Sequence, residues 1–232
     1  MFESALPKAL SALIATVVLG TGLPAWGAPS ADEILAKADA AGTAETSHVV
    51  MTQTIQTTGG STRTFTIESW GKGGDDKSLM RFVEPAPSAG IGMLSLDGGD
   101  NIWAYFPDSD DLRKIASSAR NSSMEGSDFS YEDMTGATFA EKYTGGEVTE
   151  ESIGDHACYR LTLTPTGKSA YSKVVVWIDT TSFVLHQSHY FDKKDRHTKT
   201  LTMAGWKQIS GVWTPQTMVM TNVRRNSSTT IE

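Results

Sequence analysis

Cysteine is almost missing from this chain of 232 residues: Cys158 is the single one. One thiol cannot form an internal disulfide, so packing and hydrogen bonds must hold the fold even in an oxidising compartment. Cys158 lies in the alternating run ACYRLTLTP, where a small core side chain is the simplest reading and a reactive thiol the alternative. Basic charge is also in deficit. Twenty Lys and Arg stand against 27 Asp and Glu, a net charge of −7. No basic stripe of the kind a nucleic-acid partner requires is present. The one local basic cluster, Asp192-Lys-Lys-Asp-Arg196, is interleaved with acids and reads as a solvated hairpin turn.

Long apolar runs are confined to the start. Ala9 to Leu23 is 15 residues, too short to cross a hydrocarbon core of about 30 Å. Lys8 precedes it, and Ala25-Trp26-Gly27 follows with small residues at −3 and −1, the pattern of signal-peptidase cleavage after Gly27. Residues 1–27 therefore read as a signal peptide, with an uncleaved anchor as the alternative. Residues 28–232 read as one exported domain, soluble and unanchored, with no internal repeat and no linker.

Catalytic motifs are scarce too. There is no G-x-S-x-G. Ser69-Trp-Gly-Lys72 matches S-x-x-K, but on a strand the pair cannot sit one helical turn apart. Five histidines do not assemble by spacing: His186 and His189 are three apart on an expected strand and point to opposite faces, while His48, His156 and His197 stand alone. Zinc also favours thiolates, and only one exists. No metal site, no cofactor and no enzymatic activity are expected.

What the chain does have is period-two patterning. One helix comes first: Ser30-Ala-Asp-Glu33 is a capping box, and Ile34, Leu35, Ala38 and Ala41 then share a face up to Gly42. Strand-like runs follow at about 47–57, 63–71, 77–84, 90–96, 100–106, 112–116, 138–144, 157–164, 171–179, 182–191, 197–206 and 212–223, separated by turns such as Gly73-Gly-Asp-Asp76 and Asp97-Gly-Gly-Asp100. Consecutive antiparallel pairing follows, in a sheet that curls to manage its edges. Several strands, notably Asn101–Phe106 and Val174–Ile178, are apolar on both faces, so the inner face needs a cover. Ordinary core packing and a lined lipid cavity both fit that pattern.

One stretch, Ser122-Ser-Met-Glu-Gly-Ser-Asp-Phe-Ser-Tyr-Glu-Asp-Met134, interrupts the strands with four carboxylates around aromatic residues. Its spacing matches no calcium loop. A metal site and a catalytic carboxylate pair stay open, but Ser130-Tyr-Glu-Asp133 reads as a second capping box, with acids favoured in the first helical turn. The segment is expected to be a short helical lid, with Met124, Phe129, Tyr131 and Met134 inward and the acids in water.

Glu84-Pro-Ala, Gly90-Ile-Gly-Met-Leu-Ser-Leu-Asp-Gly-Gly-Asp100, Trp103-Ala-Tyr-Phe-Pro107, Arg113-Lys-Ile-Ala-Ser-Ser118 and Gly126-Ser-Asp-Phe-Ser-Tyr-Glu-Asp133 together resemble a block of the outer-membrane lipoprotein-sorting, LolA-like family. The helix Ala31–Asp39 and the ending Trp213-Thr-Pro…Met220-Thr-Asn222 extend the likeness over most of the domain. The resemblance implies a mainly β fold, a single strongly curved, half-open antiparallel β-barrel (LolA/LolB-like) with an N-terminal helix and a lid. It implies a periplasmic carrier of the acyl chains of lipoproteins or other lipids. An inner-membrane transporter and an outer-membrane acceptor are the implied partners, and a monomer is expected. Two departures stand out: Glu125 replaces an apolar residue, and the chain stops at Glu232 where relatives continue, so a final edge strand is expected to be missing. No acyl-contacting residue transfers by motif. Strand parity instead assigns Phe65, Ile67, Met80, Phe82, Met93, Leu94, Trp103, Tyr105, Trp177, Met218 and Met220 to the cavity. A sensor or adaptor module of an envelope exporter is the alternative function, and a hydrolase using Glu125 with Asp128, or Glu132 with Asp133, the third.

Overall fold

The structure, a computed structural model, describes residues 29–74, 76–135 and 138–232. The expected signal peptide lies outside these residues. In chain order the elements are α1 (Ala31–Gly42), β1 (Thr46–Gln56), β2 (Thr62–Lys72), β3 (Lys77–Glu84), β4 (Gly92–Leu96), β5 (Asn101–Phe106), β6 (Asp111–Lys114), α2 (Phe139–Lys142), β7 (Tyr143–Ile153), β8 (His156–Pro165), β9 (Tyr171–Asp179), β10 (Leu185–Asp192), β11 (His197–Ala204), β12 (Lys207–Ile209), β13 (Val212–Thr214), β14 (Thr217–Asn222) and β15 (Ser227–Ile231). The protein is mainly β. No helix among the described residues is long and apolar enough to cross a membrane.

Thirteen strands form one antiparallel sheet in the order β6-β5-β4-β3-β2-β1-β15-β14-β11-β10-β9-β8-β7. Consecutive pairing holds within β1–β6 and within β7–β11. It fails at the middle, where β15 inserts between β1 and β14, with Gln53 opposite Ile231 and Met218 opposite Ile231. Residues 227–231, which carried no strand expectation, therefore occupy the centre of the sheet and not an edge. The sheet is not closed: β6 and β7 are its two edges. The strand expected at 138–144 is replaced by α2, started by a Thr138/Glu141 capping box, and by β7. Charged, glycine-bearing β7 suits an edge, where lysines and acids discourage further pairing.

One face of the sheet is covered. The Ser30 hydroxyl accepts from the Glu33 N–H and the Glu33 carboxylate accepts from the Ser30 N–H, so α1 starts where the sequence predicts. Its Ile34 and Leu35 are buried against Leu161, Leu163, Val174, Val176, Ile178 and Leu185 of β8–β10. On the other half, Phe65, Ile67, Met80, Phe82, Met93 and Ile102 pack under Met124. Phe129 joins the halves by packing on Leu201, Met220 and Ile231. On the opposite face, buried Cys158 packs with Val175 and Trp177. The Asp192–Arg196 turn is as expected, its Arg196 guanidinium donating to Asp192 Oδ2 at 2.6 Å.

The open face carries a cross-strand row: His48, Trp70, Leu79, Leu94, Trp103 and Lys114 are successive register partners from β1 to β6. Leu79 is 42 % exposed and Leu94 36 %. The two-faced apolar pattern of these strands thus has two origins, a covered core on one side and an apolar ladder toward solvent on the other.

Helix α1 approaches β7 closely because Gly145 has no side chain; a Cβ there would collide with that of Ala31 and meet Leu35 Cδ1 at 3.5 Å. Gly145→Val is expected to lift the helix and lower stability by about 1–3 kcal/mol in urea unfolding. Gly167→Ala, which meets nothing within 4 Å, is expected to leave stability unchanged.

Candidate functional site

The segment 122–134 is not a helix but a series of turns closed by a Ser123–Ser130 bridge. The Ser130/Asp133 capping box is nonetheless formed: the Ser130 N–H donates to Asp133 Oδ2 at 2.8 Å, and the Asp133 N–H donates to Ser130 Oγ at 3.3 Å. Met124 and Phe129 are buried, 2 % and 3 % exposed, and Tyr131 and Met134 are half-buried against the same clusters.

The acids do not point into water, as expected from their charge; three of them tie the segment down. Asp128 is buried, accepting from Ser227 Oγ at 2.6 Å and Thr229 Oγ1 at 3.1 Å on β15. Glu132 accepts the Ala170 N–H at 3.0 Å. Asp133 accepts from Lys199 Nζ and from the Tyr171 hydroxyl, both at 2.7 Å. An irregular segment laid on an apolar face leaves polar groups that water cannot reach, so they must find partners inside. Burial, with Asp133 beside it, holds the Tyr171 hydroxyl protonated well above its ordinary value, which keeps it a donor. Glu125, at φ 49°, presents its carbonyl to Arg63 Nη2 at 3.2 Å.

Beside this cover lies a cavity of about 300 Å³. Its walls are the C-terminal half of α1 (Ala38, Ala41), α2 (Phe139), the β9–β10 connection (Phe183, Val184), the strand residues Leu185, Tyr190, Leu201 and Met203, and Trp206 and Trp213 around the β12–β13 hairpin. Asp39 links the two helices by accepting the Phe139 and Ala140 N–H groups at 2.8 and 3.0 Å; burial raises its carboxyl above the usual range despite those donors. The Trp206 indole N–H is buried without a hydrogen-bond partner among the described residues. Glu132, Thr135, Lys142 and Tyr143 line this cavity and also an adjoining polar groove of about 700 Å³, formed with Asp97–Asp100, Arg120 and Pro165–Ser169. Burial pushes Lys142 below its ordinary value, with Glu132 and Asp133 opposing, and pushes the Tyr143 hydroxyl far above its own.

None of the residues assigned to a cavity by parity lines this one. Phe65, Ile67, Met80, Phe82, Met93 and Met220 do face the covered side, with Met218 packed beside them, but beneath the 122–134 segment. Leu94, Trp103 and Tyr105 lie on the open face: Ile102 and Ala104 are the buried residues of β5, and alternation sends their neighbours outward. Trp177 is buried on the opposite face beside Cys158. Residue size misled the parity choice, because small Ala104 sits opposite Met93 in register and Met124 fills the space above. The missed cavity residues had one visible signal, two tryptophans in the turn-rich stretch AGWKQISGVWT. The histidines also differ from expectation, since His156 stacks on His186 and His189 on His197, with ring centroids 4.2 and 4.5 Å apart.

A long open antiparallel sheet, covered on one face by a helix and an irregular acidic segment with an apolar cavity beside them, defines the class of fold. Comparison with known proteins narrows the class. A family model described only as an uncharacterized protein matches residues 74–232. An outer membrane lipoprotein-sorting protein domain from Vibrio parahaemolyticus is 30% identical, covers 87% of this chain and 89% of its own, and superposes with a TM-score of 0.80. A DUF1329 family protein from Desulfovibrio piger is 28% identical over 87% and 89% of the two chains, also with a TM-score of 0.80. A LolA superfamily protein from Nitrosomonas europaea, 21% identical over 88% and 91% of the chains with a TM-score of 0.75, shares the fold. No curated protein matches the sequence. The chain belongs to the outer membrane lipoprotein-sorting, LolA-like family.

The Asp133–Lys199 pair, with side chains 3 % and 15 % exposed, is buried, so Lys199→Met is expected to cost about 3–5 kcal/mol. Arg196→Met, which breaks a surface pair, is expected to cost far less; urea unfolding measures both. Lys142 carries the opposite sign. Its folded value lies below 10.5, so the unfolded chain binds more protons in the window between them, and stability rises as pH climbs through it. Lys142→Met is expected to flatten that rise in unfolding curves taken over the alkaline range below pH 10.5.

Proposed function

We propose that the protein is a periplasmic carrier that holds acyl chains of lipoproteins or other lipids, performs no chemistry on them, and passes them from an inner-membrane transporter toward an outer-membrane acceptor. The observation that carries this reading is the apolar cavity opening beside a polar groove, with Glu132, Thr135, Lys142 and Tyr143 common to both. That arrangement suits an amphiphile, tail in the cavity and headgroup in the groove. Each methylene removed from water contributes about 0.8 kcal/mol, so a few turns of a fatty tail suffice for useful affinity.

At about 300 Å³ the cavity sits at the lower limit of small-molecule sites and takes part of a long tail. The rest is gained by displacing the 122–134 cover, which opens the sheet into the half-open barrel that the family resemblance implies. Two features support a displaceable cover. It has no helix or extended strand of its own, and beneath it the wholly buried Gln53 amide makes no hydrogen bond among the described residues. Such an orphaned group costs roughly 1–3 kcal/mol, which a carrier tolerates better than a permanent core does.

The adaptor reading draws on a different observation, the exposed apolar ladder from Trp70 through Leu94 to Trp103 on the open face, which fits a protein partner. The two separate cleanly. Protein purified gently from the envelope is expected to retain lipid in native mass spectrometry, and a fluorescent fatty acid is expected to quench Trp206 and Trp213. Leu201→Trp, which fills the cavity, is expected to weaken that binding roughly tenfold, about 1.4 kcal/mol, whereas Leu94→Ser on the open face leaves it unchanged. Tyr131→Ala is expected to alter retention through the cover. A wild-type protein free of lipid and indifferent to the fatty acid would return the ladder, and the adaptor, to first place.

A further inference from the structure

Outside the residues that line the cavity, β8, β9 and β10 bring three metal-ligating side chains together. His156 opens β8, Asp179 ends β9 and His186 lies in β10. Asp179 Oδ2 is 3.8 Å from His156 Nδ1 and 3.6 Å from His186 Nε2, and one donor atom from each of the three residues falls within 4.8 Å of the others. His186 is packed in, its side chain 10 % exposed, and its Nε2 is buried without a hydrogen-bond partner among the described residues. A separation of 3.6 Å is too long for a hydrogen bond. Native structures seldom leave such a nitrogen unserved, and a bound ion is one of the recognised explanations.

The carboxylate is oriented for the task. Asp179 Oδ1 is engaged by three donors, the Thr181 N–H at 2.9 Å, the Ser182 N–H at 2.7 Å and the Ser182 hydroxyl at 2.9 Å. Oδ2 is left facing the imidazoles. Outer hydrogen bonds of this kind fix the ligating oxygen and are the usual support of a metal site. The Thr180 N–H donates to the Ala157 carbonyl at 3.0 Å, which tethers the same turn to β8.

We propose that His156, Asp179 and His186 form a binding site for a zinc-class divalent transition metal that cross-braces β8, β9 and β10. Two imidazoles and one carboxylate select zinc, cobalt or nickel over calcium or magnesium, which prefer all-oxygen sites. Metal–ligand bonds of about 2.1 Å place tetrahedral donors roughly 3.4 Å apart, a few tenths of an ångström inside the separations to Asp179. The exposed His156 ring, 58 % accessible, supplies the remaining adjustment by turning out of its stack. Solvent takes the fourth position. The ion fixes the turn whose other side, Phe183, Val184 and Leu185, walls the cavity.

Titration calorimetry of chelator-treated protein with zinc chloride is the test, with cobalt chloride absorption as the spectroscopic signature. One equivalent of zinc is expected to bind with a Kd on the order of micromolar or tighter, and cobalt to give the visible bands of a four-coordinate site. His156→Ala and His186→Ala are each expected to weaken binding roughly tenfold or more. His189→Ala with His197→Ala, the other stacked pair, is expected to change nothing. Because His156 is exposed, its variant keeps the test intact should His186→Ala fold poorly. No zinc binding by the wild type, or binding that survives His156→Ala and is lost with His189 and His197, overturns the proposal.

Discussion

The Asp133 carboxylate, held by Lys199 and Tyr171 at 2.7 Å each, is the point to which the covered face of the sheet is secured. Thirteen strands present more apolar surface on that face than one twelve-residue helix can shield. The remainder is shielded by an irregular segment, and irregular backbone on grease is unfavourable unless its polar groups are bonded. The acids supply those bonds. Asp133 reaches β11, Asp128 reaches β15 and Glu132 reaches the start of β9, so one short stretch is fastened to the middle strand and to the half of the sheet that runs to β7. Met124 and Phe129 then sit where those anchors put them. The cavity exists because the anchors end at Asp133, leaving the space between the segment and α1 to be framed by aromatic and aliphatic walls.

The anchoring also orders the electrostatics. Lys142 and Tyr143 lie close enough to Glu132 and Asp133 to feel both carboxylates, and burial keeps the tyrosine neutral and discourages the lysine charge. The passage from apolar cavity to polar groove is therefore graded, with neutral hydroxyls between the hydrocarbon walls and the charged rim.

Much of the fold was legible in the residues, and the failures have physical causes. The capping box at Ser30 and Glu33 marks its helix unmistakably because both reciprocal bonds are local. Strands β1 to β6 and β8 to β11 show through their alternation. Strand β15 does not, because Ser227-Ser-Thr-Thr-Ile231 is polar for a central strand; Thr229 spends its hydroxyl on Asp128, a partner about a hundred residues away that no local pattern reveals. Strand β7 is hidden by the glycines that let α1 approach and by the acids of an edge. The segment 122–134 covers the sheet face with Met124 and Phe129 buried, as its apolar residues suggest, but as turns and not as the expected helix. Charge alone places its carboxylates in water, and nothing in sequence announces that Lys199 and Thr229 wait beneath. The residues that parity assigns to a cavity divide between the two faces, since alternation tells which residues share a face but not which face is covered.

The central position of β15 has a kinetic side. Hairpins β1–β6 and β7–β11 join neighbours in sequence and can zip early, each needing only short loops. Uniting them requires Gln53 to meet Ile231 and Thr52 to exchange both backbone hydrogen bonds with Glu232, among the most distant encounters the chain makes. Closing so long a loop is slow relative to local pairing. Two preformed wings thus wait for a late-arriving zipper, and the sheet becomes one body only when the last residues of the chain reach its centre.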